Sequence, residues 1–194
     1  MNENGPSPVY KALPYLKPIA IEEAEDEQGY ALSPEDDIVE LPWNEGFIVT
    51  FLCDDEGMDV YRYVQNRDLR ELGLTPEQLL AQSLDHLYDR TESHELQLQE
   101  LQDAAYTMLL MDGSFEASLL LLDDLWDGTL NDYAPSGYAV AFPARDVLMF
   151  SDIRSEEGIA QMRAVIERIW VNGDHLLSKA IWTRNAGKWV RLDA

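Results

Sequence analysis

The sequence predicts an α+β fold: an antiparallel sheet built from hairpins, with two or three helices packed mainly on one face. Three observations carry that expectation. Short β-branched and aromatic runs recur in pairs around turn residues, at 47–64, 138–150 and 180–192. Two segments, 75–89 and 155–173, repeat apolar residues at spacings of three and four between helix start and stop signals. Their order (hairpin, helix, hairpin, strands, helix, hairpin) suits antiparallel pairing.

Residues 1–45 stand apart. They hold six of the nine prolines, and eleven acids against two bases. Proline forbids long helices here, and the acid run 22–27 needs water. Yet Val9, Tyr10, Leu13, Tyr15, Leu16, Ile19 and Ile21 are too apolar for a free tail. The segment is expected to be an extended arm docked on a single domain formed by 46–194, with 22–29 a solvated loop or short helix.

Residues 47–53 (FIVTFLC) read as a strand, Asp54-Asp55-Glu56-Gly57 as a turn, and 58–64 as a second strand with one wet face. After Asn66 to Gly73 comes the clearest helix start. Thr75 supplies a capping hydroxyl, Pro76 the first helical position and Gln78 the reciprocal side chain. Leu79, Leu80, Leu84, Leu87 and Tyr88 mark one face to about Asp89. Residues 91–102 are polar and acid-rich, a surface helix or connection.

The longest apolar stretch is 106–127, YTMLLMDGSFEASLLLLDDLWD. A first apolar run ends in Asp112-Gly113, a turn signal. Phe115, Ala117 and Leu119 then alternate with polar residues, whereas Leu119, Leu122, Leu125 and Trp126 recur at helical spacing before Gly128. Two readings stay open: a hairpin whose second strand runs into a short helix, or one helix capped by Ser114. Four consecutive leucines fit both. Strands at 138–142 and 146–150 follow, interrupted at Pro143. Ser155-Glu156-Glu157 opens a helix striped by Ile159, Met162, Val165, Ile166, Ile169 and Trp170 and ended by Asn172-Gly173. A hairpin turning at 185–187 closes the chain.

The segments RYVQNRDLRELGLTPEQLLAQSLDHL, FEASLLLLDDLW and PARDVLMFSD resemble, in this order, the bacterial YtpQ family over about residues 47–185. The resemblance implies a soluble bacterial protein. It carries over no activity and no catalytic residue.

Charge is the outlier of the composition. Thirty-seven acids against fourteen bases leave −23 on 194 residues. Such a field repels nucleic acid and anionic membranes, so neither is an expected partner. It favours a basic protein partner and fast, salt-sensitive association; solubility or a saline habitat is the plainer explanation of the same charge. No apolar run approaches the ~20 residues that span a bilayer, and the first residues lack a secretory pattern. The single cysteine, Cys53, excludes an internal disulfide and a multi-cysteine zinc site. A cytoplasmic setting is expected, and the oligomeric state is open.

No G-x-S-x-G turn and no glycine-rich phosphate loop occurs. His86, His94 and His175 lack the spacing of a metalloprotease pair, and Cys53 has no histidine near it in sequence. Asp112, Ser114 and Glu116 imitate the start of a calcium loop, but Ala117 stands where that loop needs glycine, and Asp123 where it needs glutamate. No catalytic residue, metal site or cofactor is assigned. The partner-binding candidates are the paired carboxylates Asp54, Asp55, Asp123 and Asp124, the pair Arg145 and Asp146, and Trp126 as an anchor. Asp123 or Asp124 is expected to hold Arg145. The expected function is a non-enzymatic acidic binding protein, such as an immunity or inhibitor protein that neutralises a basic toxin. The alternatives are a carboxylate-based metal-binding protein or hydrolase using Asp123, Asp124 and Asp146, and an assembly subunit exposing Trp43, Trp182 and Trp189 at an interface.

Overall fold

The structure, a computed structural model, describes residues 7–19, 33–54, 60–94 and 96–192. The chain is α+β, with antiparallel sheets and, among the described residues, three α-helices, in two compact units drawn from Met1–Asp89 and Arg90–Ala194.

In the first unit, strand β1 (Leu13–Pro18) and strand β2 (Leu41–Asn44) flank β3 (Phe47–Asp54), which also pairs with the short β4 (Tyr61–Tyr63). β1 runs the length of β3, from Leu13 opposite Leu52 to Pro18 opposite Phe47. β2 and β4 share the other side of β3, opposite 47–49 and 52–54. Enclosed by three neighbours, β3 buries Phe47, Val49, Phe51, Leu52 and Cys53. Pro14 and Pro18 sit in the edge strand β1, where a missing N–H breaks no central ladder. The chain therefore divides between Asp89 and Arg90 rather than after residue 45: the proline-rich segment supplies two strands of this sheet. The acid run 22–29 lies outside the described residues.

The expected 47–64 hairpin is the β3–β4 pair. A helix not read from the sequence follows it, α1 (Asn66–Leu72), with a capping box between Gln65 and Asp68 and a left-handed Gly73 behind it. Helix α2 (Pro76–Ser93) begins as expected: Gln78 N donates to Thr75 Oγ1 at 3.2 Å, and Thr75 N to Gln78 Oε1 at 2.9 Å. It buries Leu79, Ser83 and Leu87.

The second unit holds a six-stranded sheet in the order β10-β9-β7-β8-β6-β5. Its strands are β5 (Gln97–Glu100), β6 (Thr107–Leu110), β7 (Tyr138–Ala144), β8 (Val147–Asp152), β9 (Trp182–Asn185) and β10 (Lys188–Arg191). The 138–150 strands form the central hairpin β7–β8, with a register shift between Ala141 and Ala144 that accommodates Pro143. The closing hairpin β9–β10 turns through Ala186 and Gly187, both at positive φ. Helix α3 (Glu156–Asn172) covers one face, packing Met162 and Ile166 against Ala139, Ala141, Met149 and Ile181. Ser155 caps it through Gly158 N.

The stretch 106–127 departs from both sequence readings. β6 pairs with β5 and β8, so the partner of the first apolar run is the polar segment 97–100, not 115–119. Residues Glu116–Leu121 form a 3-10 helix and Leu125–Thr129 a π turn. Ser114 caps neither; the residue before the 3-10 turn is Phe115, without a side-chain cap. Alternation failed as a guide because every residue from Phe115 to Leu120 is buried, Glu116 and Ser118 included. Among the described residues no helix is long and apolar enough to cross a membrane.

Gly158 sits where the first turn of α3 meets the sheet. A Cβ there would lie 2.3 Å from Ala105 O and 2.8 Å from Ser151 Cβ, whereas one at Gly128 would meet nothing within 4 Å. Gly158→Ala is therefore expected to destabilise by about 1–3 kcal/mol, and Gly128→Ala to change stability by less than about 0.5 kcal/mol. Urea midpoints at unchanged m-value read both.

Candidate functional site

The site grows from an irregular backbone. 3-10 and π turns leave main-chain carbonyls without the regular helical partner. Here three aromatic side chains supply donors to such carbonyls, one of which, Leu119 O, also accepts from Leu122 N at 3.2 Å. Trp126 Nε1 donates to Leu119 O at 2.8 Å, Trp189 Nε1 to Leu120 O at 2.9 Å, and the Tyr138 hydroxyl to Trp126 O. The rings also pack on each other edge to face: Trp126 lies 4.9 Å from Trp189, 5.1 Å from Tyr138 and 5.8 Å from Phe150. Such contacts contribute about 0.5–1.5 kcal/mol each beyond burial. Burial, with the nearby Asp127 charge as the smaller cause, pushes the Tyr138 hydroxyl up to about 12.

Upstream, two carboxylates fix the turn into this segment. Asp112 Oδ1 accepts from Ser114 N and Phe115 N, while its other oxygen holds Arg90, whose guanidinium stacks over Phe115. Glu116, 1% exposed, accepts from Met111 N at 3.0 Å and Gly113 N at 2.7 Å. The residues that imitate a calcium loop thus turn their carboxylates onto their own backbone. Among the described residues no group of three His, Cys, Asp or Glu side chains is placed to hold a metal ion.

On this floor stands an acidic rim. Leu122, Leu125, Trp126 and Leu130 point inward, and Asp123, Asp124, Asp127 and Asp132 are all exposed. Arg184 organises the rim from below. Its side chain is 5% exposed, its guanidinium lies over the Trp189 ring, and it reaches Asp123 at 2.8 Å and both oxygens of Asp127 at 2.8 and 2.9 Å. The bidentate contact with Arg184 holds the Asp127 carboxyl below the usual carboxylate range. Asp124 and Asp132 make no side-chain ion pair among the described residues.

No family model, curated protein or solved structure matches the chain. The site is therefore read from its own geometry.

Of the residues singled out from the sequence, Asp123 and Asp124 lie on this rim. Trp126 is fully buried and forms its floor, so it is not a partner-facing anchor; its ring fills the gap between the 3-10 segment and the sheet. Arg145 and Asp146 form the β7–β8 turn, and no ion pair joins Arg145 to Asp123 or Asp124 among the described residues. Arg145 instead serves through its backbone, accepting from Ala117 N and donating to His175 O. Asp54 is exposed at the end of β3 in the first unit, and Asp55 lies outside the described residues. Trp182 and Trp189, expected at an interface in the assembly reading, are 1% and 5% exposed. Sequence reasoning missed Arg184, Asp127 and Asp132. A signal existed for Arg184: it shares a strand face with Trp182, and an inward arginine demands carboxylates.

Two outcomes follow from this asymmetry of burial. Asp123→Ala with Asp127→Ala strands a buried guanidinium and is expected to cost about 1–3 kcal/mol. Arg184→Met, which leaves only exposed acids behind, is expected to cost less than about 1 kcal/mol. Because the folded carboxyl of Asp127 titrates below the unfolded value of about 3.9, its pairing stabilises above that pH and is lost as pH falls through the folded value. The stability gap between the native chain and Asp127→Asn, measured in urea at pH 7, is thus expected to close below about pH 4.

Proposed function

We propose that this chain is a non-enzymatic acidic binding protein, acting in the cytoplasm, whose rim engages a basic protein partner. The role that suits it is that of an immunity or inhibitor protein covering the basic surface of a toxin such as a nuclease. The observation that carries the reading is the rim itself. Four exposed carboxylates on one ten-residue segment stand on a floor of buried leucines and aromatic rings, with one buried arginine beneath them. A field mounted on a rigid base loses little side-chain freedom on binding and presents a fixed charge pattern. The overall charge of −23 adds long-range steering. The resemblance to the YtpQ family is compatible with this role and adds no chemistry to it.

Immobilised protein is expected to capture a basic protein from extract of its own cells at low salt. It is expected to release that protein at about 1 M salt, where the screening length falls to about 3 Å. Asp124→Asn with Asp132→Asn, which disturbs no ion pair among the described residues, is expected to slow association severalfold with little change in stability. Capture of no basic protein at low salt, or capture indifferent to salt and to these variants, counts against the reading.

A further inference from the structure

We propose that a cleft beside Tyr133 receives a single basic side chain of the partner, its guanidinium or ammonium group held between tyrosine rings and two carboxylates. This rests on the acidic-binding reading and names where on the second unit a partner residue would be anchored.

The cleft arises from topology. β6 accompanies β8 only as far as Thr107 opposite Phe150. Before Thr107 the chain leaves the strand end and passes as a strap, residues 101–106, to α3. Gln161 fastens the strap there: Ala105 N donates to its Oε1 at 2.7 Å, and its Nε2 donates to Asp103 O at 3.4 Å. The parting of strap and strand opens a space of about 620 Å³, within the range of about 300–1,000 Å³ usual for ligand sites.

The lining has one sign of charge. Glu100 and Asp152 contribute carboxylates, Tyr106 and Tyr133 contribute rings, Ser155 adds a hydroxyl, and no lysine or arginine lines it. The neighbouring hollow along α3, about 400 Å³, contains both Asp103 and Arg168 and so lacks that bias. Asp152 is held chiefly by backbone donors, with the Arg154 charge a smaller contribution. Its Oδ1 accepts from Arg154 N and its Oδ2 from Ser136 N, each at 2.9 Å, with the Ser136 hydroxyl as a weaker partner, and a carboxylate's four lone-pair sites leave room for a further donor. Those backbone donors, Arg154 N first, hold the carboxyl below its usual range, so it is ionised near neutrality. The exposed Arg154 beside it is the competing cation that an incoming group must tolerate. Tyr133 is 47% exposed and stands edge-on to Phe150 at 6.4 Å, leaving ring surface for a cation. It also closes the 3-10 turn Asn131–Tyr133 that carries Asp132, so the acidic rim runs directly into the cleft.

The test uses N-acetyl-arginine amide as the probe, with N-acetyl-glutamine amide as its uncharged control, titrated into the full chain and followed by amide NMR. Saturable shifts at Tyr106, Tyr133 and Asp152 with the arginine probe alone are expected. Tyr133→Leu and Glu100→Gln, both at exposed positions, are expected to weaken them about two- to fivefold at unchanged urea midpoints. Absence of saturable shifts at these residues, or equal shifts with the glutamine control, overturns the cleft. A basic partner captured by both variants as strongly as by the native chain also overturns it while leaving the acidic-binding reading standing. Saturable arginine-probe binding without capture of any basic protein sustains the cleft's preference for cations and removes the protein-partner reading.

Discussion

The second unit depends on hydrogen bonds from aromatic side chains to main-chain carbonyls. The segment 116–133 is neither a regular helix nor a strand, and a buried carbonyl without a donor costs as much as a lost hydrogen bond. Trp189 and Tyr138 meet that demand from the edge strand β10 and the central strand β7, and Trp126, within the segment itself, adds a second donor to Leu119 O beside Leu122 N. The same three side chains supply the apolar mass between the segment and the sheet. One set of residues thus solves the polar and the apolar problem together, and in doing so fixes the height and spacing of the carboxylates above it.

Much of the architecture was legible before any coordinates. Thr75, Pro76 and Gln78 announce a helix because capping is local chemistry, written within four residues. Ser155 with Gly173 does the same for α3, and Asn185 to Gly187 for the closing turn. What escaped is what depends on distant parts of the chain. β5 reads QLQE, a polar edge strand whose only apolar residue is Leu98, and its existence follows from β6 lying beside it. The 3-10 segment was misread because burial on all sides erases periodicity: Glu116 and Ser118 look outward in a pattern and are inward in space.

The site shows the same limit. Asp123 and Asp124 were visible as a pair of acids, but their setting comes from Arg184, some sixty residues later, which no local pattern connects to them. Trp126, an anchor by its place beside the acids, is core instead, because three other aromatic rings pack around it. Arg145 illustrates the opposite error. A scarce base beside acids in the sequence was expected to pair with carboxylates, yet its main chain joins 117 and 175 while a different arginine takes the ionic role. Scarcity of bases is thus a better guide to the existence of an inward arginine than to its identity.

The edge-to-face arrangement of Trp126 and Trp189, with centroids 4.9 Å apart, has an optical consequence. Indole transitions held this close and nearly perpendicular couple to one another. The folded chain should therefore carry an exciton couplet in its far-ultraviolet dichroism, where the indole transitions are intense. Since both indoles donate to consecutive carbonyls of the 3-10 segment, that signal would vanish when the floor beneath the carboxylates loosens, even with every strand still paired. The protein carries its own chromophore for the part of the surface that matters most.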